Sequence, residues 1–202
     1  MSTNILEEKI LIAIENDNLD EFVANINRFI DWDHHKIENS TEYFVHNAIR
    51  HKSSEILSYM LKSSRIDINV RDEKQQTPLH FAIKFGMCNI VEQIYNYYSK
   101  ELELIEDWNG NTELHKWVIF HSSCENCLKI LGKLKTVKHR NEYFAKKNTR
   151  GNSPLHLSIV YEMFSGFKFL LSNKYFEIDI NDLGENNNNL LHFACIYKNP
   201  VK

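Results

Sequence analysis

Apolar residues recur every three or four positions through most of the chain, and the recurrences come in pairs. Ile5, Leu6, Ile10, Leu11, Ala13 and Ile14 form one set; Leu19, Phe22, Val23, Ile26, Phe29 and Ile30 form the next, after the polar run Glu15-Asn16-Asp17-Asn18. A spacing near 3.6 with a polar break predicts two amphipathic helices joined in a hairpin. Residues 43–49 and 56–61, linked by the polar stretch 51–54, predict a second hairpin of the same kind. The extended run Ile66-Asp67-Ile68-Asn69-Val70-Arg71-Asp72 then leads into Thr77-Pro78-Leu79-His80. Proline suits the first turn of a helix, where its missing N–H needs no partner. The unit is helix, turn, helix, extended loop.

A histidine holds the same place in each unit. His46, His80, His115, His156 and His192 are separated by 34, 35, 41 and 36 residues. Self-similarity at that period marks a stack of repeats. Thr77-Pro78-Leu79-His80-Phe81-Ala82, preceded by Asp67-Ile68-Asn69, resembles the ankyrin repeat. The resemblance covers nearly the whole chain and implies an all-α solenoid of about five to six helix-turn-helix repeats with short hairpin loops. The repeats fall at about 4–36, 37–71, 72–106, 107–147 and 148–181, with a partial repeat at 182–202, in a single domain.

The copies differ in fidelity. The third, with Gly86 ending its first helix, and the fifth, with Ser153-Pro154-Leu155-His156, are near the pattern, whereas the first two are degenerate, as suits an end that meets water. The fourth has Trp117 where the family places a small alanine, and the long spacing after it puts extra residues around 134–147. The sixth shows no second helix after Leu191-His192-Phe193-Ala194, so the sequence is expected to be the N-terminal fragment of a longer chain.

Composition sets limits on function. Hydrophobic residues at 43% and charged residues at 25% fit a folded globular chain. A net charge of −3 argues against a dedicated nucleic-acid binder, which needs a basic surplus. The charge is uneven: residues 1–33 are acidic, and 129–150 are basic through Lys133, Lys135, Lys138, Arg140, Lys146 and Lys147 among others. That basic stretch reads as a solvated face, with steering of an acidic partner as its functional alternative. No apolar run reaches transmembrane length and no secretory signal is visible, so a cytoplasmic protein is expected, or one in a host cytoplasm or nucleus if it serves a pathogen. Cys88, Cys124, Cys127 and Cys195 are accordingly read as reduced thiols.

Candidate chemistry is sparse. The repeated histidines sit one repeat apart and cannot converge on one ion; the resemblance implies that each ties its loop to its first helix. His121, Cys124 and Cys127 have the spacing of three zinc ligands, with His139 as a fourth. Cys127, however, aligns with the buried start of a second helix, and no second cysteine pair exists. No phosphate loop, nucleophile elbow or H-E-x-x-H helix is present, and only six glycines are available for the tight turns such sites need. The expectation is no catalysis by these residues, no metal and no cofactor.

The resemblance places the fourth and fifth residues after each histidine on a concave groove. The fifth positions are His51, Phe85, Phe120, Tyr161 and Tyr197; the fourth are Arg50, Lys84, Ile119, Val160 and Ile196. A line of aromatics in that register suits partner anchors, with burial of these rings in the core as the alternative. Trp108, at a loop tip, extends the same surface. The implied function is binding of another protein by a monomer, anchored on Phe85, Phe120, Tyr161, Tyr197, Trp108 and Ile119 and tuned by Lys84, Arg50, Glu73 and Lys74. Two further possibilities follow from the resemblance: the targeting domain of a pathogen effector whose enzyme lies downstream, and an ankyrin-type inhibitor of a transcription factor.

Overall fold

A computed structural model describes residues 3–29, 32–63, 66–98, 105–121, 125–133, 142–172 and 179–197. They form two compact units, Met1–Ile105 and Glu106–Lys202. The first holds α1 (Thr3–Glu15), α2 (Leu19–Ile26), α3 (Phe44–His51), α4 (Ser54–Lys62), α5 (Pro78–Lys84) and α6 (Cys88–Tyr98). The second holds α7 (Glu113–His121), α8 (Glu125–Lys133), α9 (Pro154–Val160), α10 (Phe164–Ser172) and α11 (Leu190–Tyr197). Among the described residues the only β-pairing is an isolated bridge between Lys36 and Tyr43. The all-α repeat architecture read from the sequence is therefore the architecture observed.

Within each unit, helices of successive pairs stack on one another. In the first unit α3 packs on α1 and α5, while α4 packs on α2 and α6; in the second, α9 packs on α7 and α11. The cores are the apolar stripes of these helices, including Ile10, Ile14, Ile49, Leu57, Ile90 and Ile94 in one unit and Leu114, Trp117, Val118 and Leu131 in the other. Trp117 is fully buried, so its ring fills the position that an alanine would leave hollow.

The recurring histidine sets the register of the stack. Its Nδ1 accepts the backbone N–H of the helix N-cap residue, at 3.2 Å from Thr77 to His80 and 3.2 Å from Thr112 to His115. The N-cap hydroxyl also reaches Nδ1, at 2.9 Å for Thr77 and 2.8 Å for Ser153. With Nδ1 used as an acceptor, the proton sits on Nε2, which donates to a carbonyl of the following loop. His46 reaches Gln76 O at 3.0 Å, His115 reaches Asn152 O at 3.0 Å and His156 reaches Asp182 O at 3.1 Å. One side chain thus caps its own helix and holds the next repeat, which accounts for its recurrence without any catalytic role. Burial lowers His46 and His115 to about 4, against the raising effect of those carbonyls, so both are neutral rings at pH 7.

The loops before α5, α7 and α9 are built alike. Asp72 N–H donates to Gln76 O and its carboxylate accepts Gln76 N–H at 2.7 Å; Asp107 with Asn111 and Asn148 with Asn152 repeat the arrangement. The fourth loop residue takes a left-handed conformation, with φ of 68° at Gly110, 81° at Gly151 and 57° at Gln75. Glycine occupies that position twice because it alone enters the region at little cost. Other loops add side-chain ties. Asp17 accepts the N–H groups of Glu55 and Ile56 at 3.2 Å each and so caps α4 from the preceding turn. Glu7 on α1 pairs with His35 at 2.5 Å and accepts Glu38 N–H at 2.9 Å.

One expectation is corrected. Cys88 is disulfide-bonded, whereas Cys127 and Cys195 are free thiols. A disulfide needs two Cβ atoms about 4 Å apart, in addition to an oxidant. Spacing along the sequence carries no information on that proximity. Cys127 is buried, which raises its thiol to about 11 and leaves it inert at neutral pH.

Candidate partner-binding surface

In the first unit the groove positions are a layer of cations over aromatic faces. Arg50 follows His46 by four residues and closes the end of α3; Lys84 is its counterpart on α5. The Arg50 guanidinium lies 5.6 Å from the Phe81 ring centre and 6.0 Å from that of Phe85. Lys84 Nζ lies 5.9 Å and 5.5 Å from the same two rings. Positive charge above a ring face is favoured by the ring quadrupole. Arg50 is also held by Glu42, with Nε donating to Oε2 at 3.1 Å and Nη2 donating to Oε1. That hydrogen-bonded pairing keeps the guanidinium charged, above its ordinary value. Burial raises the nearby Asp72 carboxyl, opposed by N–H groups from Gln76 and Lys74. Phe85 is half-buried as a result, so the stripe read from the sequence is not a row of equally bare rings. Glu73 and Lys74 are exposed at the loop tip.

In the second unit the same register positions stand open. Tyr161, at the end of α9, is 46% exposed, and Phe120 on α7 and Tyr197 on α11 are exposed to similar degrees. Ile119 is half-buried beside them. Lys116 Nζ approaches the Phe120 ring at 5.9 Å but is tied down by Asp107 Oδ2 at 2.6 Å. Burial works to raise the Asp107 carboxyl; bonds from Lys116, Asn111 and Asn109 outweigh it and hold the group below its usual range. Tyr197 stacks on Phe193 at 5.8 Å. Trp108 occupies the loop-tip position that Glu73 fills in the first unit, and is 72% exposed.

The loop tips of the second unit interlock. Thr149 N–H and Oγ1 both donate to Asn109 O at 2.9 Å, and Asn148 Nδ2 donates to Asn111 Oδ1 at 3.1 Å. A Cβ on Gly110 would meet Thr149 N at 2.8 Å, so the close approach depends on that glycine. Between these tips and the ends of α7 and α9 lies a pocket of about 150 Å³, bounded by Asn109, Asn111, Ile119, Asn148, Thr149, Arg150, Leu157 and Tyr161. Arg150 belongs to the basic stretch at 129–150, and neither it nor Asn109 or Thr149 is among the expected binding residues.

The second unit also ends on an apolar face. Leu191 precedes its histidine by one residue, as Leu79 does, yet it is 72% exposed against 1% for Leu79. With Phe164 and Tyr197 it borders a groove of about 200 Å³ formed by α9, α10 and α11. Of the zinc alternative, Cys124 lies outside the described residues; no group of three metal-ligating side chains is found among the described ones. Lys135, Lys138 and Arg140 of the basic stretch also lie outside them. Lys146 pairs with Glu106 at 2.7 Å and Lys147 with Asp182 at 2.6 Å, both near the surface. No described helix is long and apolar enough to cross a membrane.

Residues 10–103 match a family model described as ankyrin repeats in three copies. NF-kappa-B inhibitor alpha of Homo sapiens is 29% identical over 136 residues, 64% of this chain and 40% of that protein. SMC5-SMC6 complex localization factor protein 1 of Homo sapiens is 30% identical over 121 residues, 60% of this chain and 11% of that protein. The chain thus spans less than half the length of these curated relatives. A chain in the solved structure of "Bd0816 Predatory Endopeptidase from Bdellovibrio bacteriovorus in complex with immunity protein Bd3460" superposes with a TM-score of 0.74. That match covers 94% of this chain and 92% of the other at 17% identity, and shows a shared fold.

Proposed function

We propose that this chain, which belongs to the ankyrin-repeat family, binds another protein through the exposed aromatic face of its second unit. Ankyrin repeats are protein–protein interaction modules. The observation that carries it is the exposure of Trp108, Phe120 and Tyr161 beside Ile119. Large rings held open to water by a rigid stack lose little entropy on binding and bury large areas, as partner anchors do. Tyr197 extends this face. On the first unit, Phe85 with Arg50, Lys84, Glu73 and Lys74 supplies charge that tunes which partner is accepted.

The test is affinity capture from native lysate followed by binding of the purified partner to a Phe85→Ala/Phe120→Ala/Tyr161→Ala variant. Binding is expected to be lost while the cooperative melt survives. Loss of the melt would show that the rings are core residues instead.

A second reading, an inhibitor of a transcription factor, is favoured by the likeness to NF-kappa-B inhibitor alpha. Capture of a transcription factor, and loss of its DNA binding on adding this chain, tests it. The chain acts as a monomer in either reading, which sedimentation checks. The cytoplasm is the proposed location, supported by the two free thiols, while the Cys88 disulfide counts against it; a thiol count on protein isolated without reductant tests the assignment.

A further inference from the structure

The pocket beside Tyr161 has a chemistry that the ring surface alone does not require. Its lining joins the apolar Ile119 and Leu157 to residues whose side chains carry amide, hydroxyl and guanidinium groups. No carboxylate lines it. The neighbouring cations of the same unit are spoken for: Lys116 by Asp107, Lys146 by Glu106 and Lys147 by Asp182. Arg150 is exposed and has no ion pair among the described residues, so it is the uncompensated charge at the rim. Tyr161 is 46% exposed and lines the same pocket, so its hydroxyl supplies a second donor there.

The rim is also fixed before any ligand arrives. The two Thr149 bonds to Asn109 O and the Asn148 bond to Asn111 lock one loop tip against the next, and Arg150 N–H is held by Asn148 Oδ1 at 3.1 Å. These bonds fix the backbone that carries Arg150, so the loop itself loses little freedom on binding. The volume admits one side chain and is well below that of a cofactor site.

We propose that this pocket receives a glutamate or aspartate side chain of the partner, its carboxylate on Arg150 and the Tyr161 hydroxyl and its apolar neighbour on Ile119 and Leu157. The proposal rests on the reading of the second unit as the binding surface and adds the partner's chemistry: an acidic residue flanked by apolar ones. Carboxylate is favoured over phosphate because a single guanidinium among neutral amides matches one negative charge.

The probes are acetyl-Leu-Glu-Leu-amide, its glutamine analogue and its phosphoserine analogue, titrated into the 15N-labelled chain. The glutamate peptide is expected to shift the amides of Asn109, Thr149 and Arg150, and to bind roughly tenfold or more tightly than the glutamine peptide, in line with hydrogen bonds to charged groups. Arg150→Gln should remove that preference with the rest of the spectrum unchanged, and Arg150→Lys should restore part of it. Equal binding of the glutamate and glutamine peptides, or tighter binding of the phosphoserine peptide, overturns the proposal. A captured partner that tolerates Arg150→Gln but is lost on Phe120→Ala/Tyr161→Ala also overturns it, and leaves the proposed function standing.

Discussion

Phe85 and Tyr161 occupy the same position, five residues after the repeat histidine, and meet different surroundings. Phe85 lies under Arg50 and Lys84, and Arg50 is itself held by Glu42. Tyr161 has no cation over its ring among the described residues and faces solvent beside a pocket. The repeat dictates where a side chain stands, and neighbours from adjacent repeats decide what that side chain offers. In the first unit the groove presents charge above buried rings; in the second it presents the rings.

The comparison extends to stability, where the largest effect is expected. Leu79 and Leu191 are equivalent by register, but only Leu79 is enclosed. Leu79→Ala should cost about 2–5 kcal/mol in urea unfolding, the range for emptying a packed core site, whereas Leu191→Ala should leave the midpoint nearly unchanged. Equal losses would mean that the end of the second unit is covered in solution.

Acid should weaken both units through the histidine that holds each. Burial keeps His46 and His115 at about 4 in the folded chain, against 6.5 when exposed. Between those values the unfolded chain binds more protons than the folded one. Stability is therefore full above about pH 6.5 and falls as pH drops toward 4. The loss is on the order of 3 kcal/mol per histidine. Unfolding free energies at pH 7.0, 5.5 and 4.5 should decline in that order; a flat profile would show that the rings protonate without breaking their bonds to Gln76 and Asn152.

The loops give smaller effects of opposite sign. Gly110→Ala meets the Thr149 backbone and a left-handed φ together, so it should destabilise the second unit by about 2 kcal/mol or more. Gln75 holds the matching conformation without being glycine, and Gln75→Gly should stabilise the first unit by about 1 kcal/mol. Both are read from thermal melts. A Gln75→Gly variant that melts lower would mean that the Gln75 side chain contributes more than its backbone costs.

Much of the fold was legible because Thr77-Pro78-Leu79-His80 and its copies combine a proline, a capping hydroxyl and a histidine whose two nitrogens each have one local task. That combination fixes both the helix start and the stacking distance, so the helix pairs and the groove register follow from counting. The state of the groove was not legible. Arg50 reads as a free recognition residue until Glu42, eight residues earlier across a loop, is seen to grip it. The interlock of Asn109 with Thr149, 40 residues apart, brings Arg150 to the rim of a pocket, and no local pattern announces it. The Cys88 disulfide escaped for the same reason. Within a repeat, chemistry is written in spacing; between repeats it depends on which side chains the stack brings face to face.

The most direct test of that division is the affinity of a captured partner, measured by isothermal titration, for Phe120→Ala/Tyr161→Ala and for Phe85→Ala. The double variant should bind at least about thirtyfold more weakly, the loss expected when anchors worth about 2 kcal/mol are truncated, and Phe85→Ala should bind within about threefold of the unchanged chain. A larger loss from Phe85→Ala than from the double variant would contradict the account and move the binding surface to the first unit.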